Sequence, residues 1–310
     1  MRRLLTTLGA VVSVGALMAT AGEQLPAAPA AAAPPRLGGC PVFPADNPWN
    51  RDISRARVHP NSAAYVASIN RDATHLHADF GGNGQYGIPF RIVPRTQRRV
   101  PIRITDYPDE SDRGPYPVPL NAPVERGSDR HVLTLQSGTC RLYELFGARR
   151  SGAGWAAAQG SIFNLRSNAL RPAGWTSADA AGLPILPGLA RYGEVRAGAI
   201  HHALRFTVAE SQRAYIHPAR HFASSDRSAD LPPMGLRMRL KASYSLARFR
   251  GQSRVILTAL KRYGMIVADN GSSWYITGAS DRRWNDEDLN QLKTVPGSAF
   301  EAVYTGALRR

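Results

Sequence analysis

Ser253 to Thr277 reads SRVILTALKRYGMIVADNGSSWYIT, and its three parts decide the fold class. Val255, Ile256, Ala259 and Leu260 recur at helical spacing between Ser253 and Tyr263, and Gly264 follows as a C-cap. Met265–Asp269 is a short apolar run of strand length. Asn270-Gly271 is the favoured hairpin turn, so Trp274–Thr277 is expected to return as the partner strand. Toward the C-terminus a short helix around Asp286–Leu292 and a last strand, Phe300–Tyr304, complete this end. Upstream, His131–Gln136 and Cys140–Phe146 flank Ser137-Gly138-Thr139 as a second hairpin, and His202–Val208, Ala214–His217 and Leu236–Ala242 follow as strands. In the last of these, Leu236, Met238 and Leu240 alternate with Arg237, Arg239 and Lys241, which predicts a half-buried strand with a basic outer face. Helices are few: Ser62–Asn70, and Ser177–Ala181 behind a Ser177 cap. Because strands follow strands, the expectation is a mainly β (α+β) fold: an antiparallel β-sandwich or strongly twisted sheet with a few peripheral helices.

The start of the chain carries a different signal. Met1-Arg2-Arg3, an apolar stretch from Leu4 to Ala21 and the small-x-small end Ala19-Thr20-Ala21 have the order of a cleaved secretory signal peptide, residues 1–21. A Pro/Ala-rich linker over 22–39 follows, and 40–310 is expected to be one globular β-rich domain, extracellular and monomeric. Leu37-Gly38-Gly39-Cys40 mimics a lipoprotein box, but the Pro-rich spacer separates it from the apolar stretch. Export makes a disulfide the simplest state of the two cysteines, Cys40 and Cys140. The net charge is +16, from 39 basic and 23 acidic residues. Only three of the basic residues are lysines, and the arginines are scattered with no basic arm or recognition helix. An anionic envelope or acidic polysaccharide therefore fits that charge better than nucleic acid, and no membrane span is expected after cleavage.

Named catalytic motifs are missing: no HExxH, P-loop, GxSxG or CxxC occurs. Gly82-Asn-Gly-Gln-Tyr-Gly87 satisfies GxGxxG, yet Ile88-Pro89 stands where a helix should begin, so it reads as a loop. His75, His77 and Asp79 would share one face of an extended segment and form a workable zinc or iron ligand set. The acidic run Asp109-Glu110-Ser111-Asp112 suits calcium, or simply solvent. No other cofactor is expected. His131 begins a strand whose antiparallel partner carries Glu144, and a half-buried carboxylate there would have the raised pKa of a general acid. His202 shares a face with Leu204, Phe206 and Val208, while His221 lies just beyond a strand end. The five tryptophans sit beside Gly, Pro, Ser, Asn or Asp. Exposed indoles at such places suit a sugar cleft, with Trp155, Trp175 and Trp274 as the expected substrate-binding rings.

Phe43-Pro-Ala-Asp-Asn-Pro-Trp-Asn50, the run from Leu170 to Gly188, His202-Ala-Leu-Arg-Phe-Thr207, Pro232-Pro-Met-Gly235 and Gly264-Met-Ile-Val-Ala-Asp-Asn-Gly-Ser272 together resemble a family of uncharacterised secreted bacterial proteins, largely actinobacterial. The resemblance covers nearly all of 40–305. It implies a complete member of that family and transfers no catalytic role.

Export, loop tryptophans and the strand-borne acids and imidazoles lead to the expectation of a protein acting on extracellular or cell-wall polysaccharide as a glycoside hydrolase or lyase. The catalytic candidates are His131, Glu144, Asp179, His202, Arg205, His221 and Asp269. Glu144 or Asp179 would be acid or base, His202 or His221 a proton shuttle, and Arg205 a carboxylate or transition-state clamp. A non-catalytic glycan- or envelope-binding protein and a metal-dependent enzyme on His75, His77 and Asp79 are the alternatives.

Overall fold

The computed structural model describes residues 33–310; the expected leader and the linker up to residue 32 lie outside the described residues. Six strands build the main sheet, in the spatial order Phe300–Val303, Arg237–Leu240, Met265–Asn270, Leu204–Val208, Tyr275–Thr277 and His77–Asp79. A second sheet of four orders Gln159–Asn164, Arg141–Phe146, Val132–Gln136 and Phe90–Val93. A third, of three, joins Ile102–Ile104, Gly154–Ala157 and Arg149–Ser151. The fold is mainly β with few helices, as expected, and the sheets are mixed. Four ladders run parallel, including the central pair Leu204–Val208 with Met265–Asn270. Met265, Ile266, Val267 and Ala268 are all fully buried, the continuous apolar run of a strand covered on both faces. Among the described residues no helix is long and apolar enough to cross a membrane.

Local signals hold where they are strong. The helix Gly251–Arg262 ends at Gly264, whose φ of +67° is the left-handed value a helix terminus needs. Val132–Gln136 and Arg141–Phe146 form the expected hairpin, with Leu133 opposite Glu144. Cys40 and Cys140 are bonded, their Cα atoms 5.4 Å apart. The bridge ties a small N-terminal ribbon, Arg36–Leu37 with Cys40–Pro41, to the end of that hairpin. The folded body thus begins a few residues before Cys40.

Three expectations fail, the first two for non-local reasons and the third for a local one. Met265–Asn270 and Tyr275–Thr277 do not pair with each other, because Leu204–Val208 inserts between them and bonds to both. Arg237 and Arg239 do not form a basic outer face; they are 3% and 8% exposed. Arg237 donates to the carbonyls of Tyr263, Pro48 and Arg51, and Arg239 to Glu301 and to the carbonyls of Ile53 and Ala56. The two guanidiniums thereby fasten the 48–56 segment onto the strand, satisfying carbonyls that would otherwise be buried without donors. Ser177 does not cap a helix: its Oγ accepts from the Asp179 amide and donates to the carbonyls of Asp179 and Leu183, which makes a buried turn.

Candidate functional site

The main sheet has one feature that gathers polar groups. Where Leu204–Val208 and Met265–Asn270 run parallel their carboxyl ends coincide, and the chain then passes over the end of Leu204–Val208 to reach Tyr275. Gly271 donates its amide to the Val208 carbonyl, and Thr207 Oγ1 donates to the Ser272 carbonyl. Between Phe206 and Thr207 the register slips: Phe206 faces Val267, but Thr207 faces Asp269. Ala268 is the extra residue of a β-bulge. Without it Ala268 would stand opposite Thr207; with it Asp269 comes to the face that Thr207 and Arg205 share. The Ala268 carbonyl accepts the Ala181 amide (2.9 Å), which docks the turn carrying Asp179 against this same end of the sheet.

The result is a cavity of about 240 Å³ lined by Asp79, Glu125, Asp129, His131, Arg205 and Asp269, with Thr207, Asn270, Ser272, Tyr275 and Thr277 around them. Arg205 forms its floor. Its Nε and Nη2 donate to the two carboxylate oxygens of Asp179 (3.1 and 2.7 Å), and its Nη1 donates to Thr277 Oγ1 (2.7 Å). Asp179 is wholly buried, so the pair is a fixed, desolvated ion pair, and one hydrogen on each Arg205 Nη is left over. Asp269 lies 3.9 Å from Arg205 Nη2, with its side chain 28% exposed to the cavity. Burial, with the neighbouring Asp179 charge adding, pushes its carboxyl up to about 7 although Arg205 opposes the shift. Asp79, at the mouth, is likewise raised by burial, with the Glu125 charge adding to it.

Glu125 stands in the opposite state. Burial raises its pKa, but the hydrogen bond and charge of His131 outweigh burial and hold it below the usual carboxylate range. His131 Nδ1 donates to Glu125 Oε2 at 2.5 Å, and its Nε2 donates to the Ala178 carbonyl at 2.9 Å. Both partners are acceptors, so both ring nitrogens carry protons and His131 is an imidazolium. Burial pulls its pKa down, and Glu125 more than restores it. One cavity therefore presents a carboxyl that is protonated near neutrality beside one that stays ionised, the division of labour that acid–base chemistry uses.

Of the expected catalytic residues, His131, Asp179, Arg205 and Asp269 come together here, in roles partly different from those expected. Asp179 is sealed by Arg205 and is no acid or base for a substrate. Glu144 is fully buried behind the cavity, its carboxylate accepting the amides of Ile185 and Leu186 at the start of the short 3-10 helix Leu186–Gly188. Burial, against those two donors, pushes it up to about 7. It does not line the cavity.

His202 belongs to another buried network, with Nε2 against Glu194 Oε2 (3.1 Å) and Arg191 Nη2 (2.9 Å). Arg191 and Glu194 line a roomier cavity of about 490 Å³. Although burial opposes it, the charges of Arg191 and His202 hold Glu194 down to about 2, leaving it no proton to give. His221 bonds the Ala180 carbonyl through Nδ1 (2.8 Å) and stacks on Phe222, outside the acid-rich cavity.

The expected metal ligands are not gathered, and two of the three expected sugar-stacking rings are buried. His77 stacks on Tyr275 with centroids 4.2 Å apart, His75 bonds its neighbour Thr74, and Asp79 faces the cavity. Among the described residues no three His, Cys, Asp or Glu side chains are gathered to hold a metal ion. The acidic loop is likewise engaged: Asp112 pairs with Arg171 and accepts the Ile162 amide, and Glu110 accepts the Thr176 amide. Trp155 and Trp274 are 2% and 0% exposed, and Trp49 and Trp284 are buried too. Trp274 packs between Phe206 and Phe300, and its Nε1 donates to Asn70. These rings plug cores; only Trp175 keeps partial exposure, beneath the Arg171 guanidinium.

Glu125 and Asp129 escaped the sequence reading because they lie in a Pro/Gly loop without periodicity. The one signal was six residues away, since a buried imidazole at a strand start needs a nearby acceptor. No protein-family model matches the chain, and no curated protein or solved structure matches it either.

Proposed function

We propose that the chain is a secreted hydrolase acting on extracellular or cell-wall polysaccharide, with Asp269 as general acid and Glu125 as base or nucleophile. The observation that carries this reading is that Asp269 and Glu125 line one cavity, Glu125 bonded to the His131 imidazole and Asp269 no closer than 3.9 Å to Arg205. Burial thereby raises one carboxyl while the imidazole lowers the other. In the proposed step the Asp269 proton passes to the glycosidic oxygen as the C–O bond breaks. Glu125 attacks the anomeric carbon or takes a proton from the attacking water, and His131 positions it. The hydroxyls of Thr207, Ser272, Tyr275 and Thr277 and the amide of Asn270 match the hydrogen-bonding needs of sugar hydroxyls. A hydrolase suits the site better than a lyase, because the Arg205 charge is already matched by Asp179 while two carboxyls are available for acid and base. A non-catalytic binding module is the weaker reading, because Trp155 and Trp274, two of the rings it would use, are buried.

The test is release of reducing ends from a panel of soluble and wall polysaccharides by the purified protein and by Asp269→Asn. Product from at least one glycan is expected, reduced at least about 100-fold in the variant, the range for loss of a general acid. A wild-type protein that releases nothing from any glycan sinks the proposal.

A further inference from the structure

Arg237 is buried without a carboxylate partner, an expensive arrangement for a cation. It lies in the wall of a separate cavity of about 280 Å³, together with Arg51, His217 and Thr305, over apolar ground from Ile53, Leu170 and Ile266. Nε and Nη2 of Arg237 are spent on the Tyr263 and Arg51 carbonyls and one Nη1 hydrogen on Pro48, which leaves a single N–H over. The Arg51 guanidinium has no hydrogen-bond or ion-pair partner among the described residues, and the Thr305 hydroxyl oxygen is buried with none. Asp46, the one acid on the rim, accepts from Asn168 and pairs with neither arginine. Positive charge dominates around the cavity. Burial, with Arg51 adding, pulls Arg237 down to about 9. Burial and then Arg309, Arg220 and Arg51 depress His217.

We propose that this cavity binds a small organic carboxylate, its charged end on Arg51, the remaining Arg237 N–H and Thr305, and its apolar body against Leu170 beside the edge of Ile53. Arg51 offers the planar fork that a carboxylate takes in bidentate fashion. The volume sits at the small end of ligand cavities, and the apolar wall gives inorganic phosphate nothing to rest on. The site is separate from the acid-rich cavity and stands whether or not that cavity cleaves glycans.

The experiment titrates the full folded chain with sodium benzoate, sodium hexanoate and inorganic phosphate at fixed ionic strength, reading thermal midpoint and calorimetric heat. Removing Arg237 would also release the 48–56 segment, so the variant is Arg51→Gln at the exposed rim. Saturable binding of benzoate or hexanoate is expected, weakened at least about tenfold in Arg51→Gln as a charge-assisted bidentate contact is lost. No saturable binding of either carboxylate, binding of phosphate alone, or affinity unchanged in Arg51→Gln each overturns the proposal.

Discussion

Asp269 and Glu125 line the same cavity and titrate in opposite directions, and the difference lies in their immediate neighbours. Asp269 faces the charge of Asp179 across a guanidinium that Asp179 has already claimed, whereas Glu125 has an imidazolium to itself. An acid that must be protonated loses activity as pH rises through its pKa. The kcat/KM profile on any glycan that is cleaved is therefore expected to fall above about pH 7, and a profile flat from pH 6 to 9 counts against Asp269 as the acid. Glu144 makes a complementary case, because its raised pKa concerns stability. The folded state binds its proton more tightly than the unfolded chain does, so its contribution is complete below the ordinary glutamate value of 4.5. It is lost as pH rises through about 7. The loss is on the order of 3 kcal/mol. Glu144→Gln keeps one acceptor for the Ile185 and Leu186 amides and abolishes the titration. The fall in unfolding free energy from pH 5 to pH 8, read by denaturant melts, should therefore be smaller in the variant. Arg205 and Asp179 were recognisable in sequence as polar residues among apolar ones. That they neutralise each other was not, because their contact spans 26 residues and depends on the Ala181–Ala268 bond.

At the scale of elements, what could be read in advance was what neighbouring residues decide. The Ser137-Gly138-Thr139 hairpin and the helix ending at Gly264 have local causes and form as expected. Insertion of Leu204–Val208 between the arms of 265–277, and the bulge at Ala268, are settled by pairing between segments some sixty residues apart, which turn chemistry does not encode. Gly264 shows how much a local cause can weigh. It holds φ +67°, and a Cβ there would stand 2.2 Å from the Met238 carbonyl oxygen. Gly264→Ala must both strain the left-handed conformation and push the helix end off its strand. A loss of about 1–3 kcal/mol of unfolding free energy is expected, read by denaturant melts, against the few tenths typical of an exposed substitution.

For the whole molecule, the Cys40–Cys140 bridge is the one covalent constraint on a body made of several sheets. It closes a loop of 100 residues, so the chain-entropy account assigns it about 4–5 kcal/mol. Reduction, or the double replacement Cys40→Ser with Cys140→Ser, should lower the free energy of unfolding by up to that amount, read by guanidinium melts with and without reductant. An unchanged midpoint would mean that the unfolded chain gains no freedom when the bridge opens.

The strand threaded between the two arms of 265–277 also sets an order of events. Asn270-Gly271 favours immediate closure of those arms on each other, a pairing the native sheet forbids, so the quickest contact available to the nascent chain is a wrong one. Such a pairing would have to reopen and admit a partner from far upstream before the acid-rich cavity exists at all. Refolding should accordingly slow at low denaturant, the rollover that betrays a misregistered intermediate.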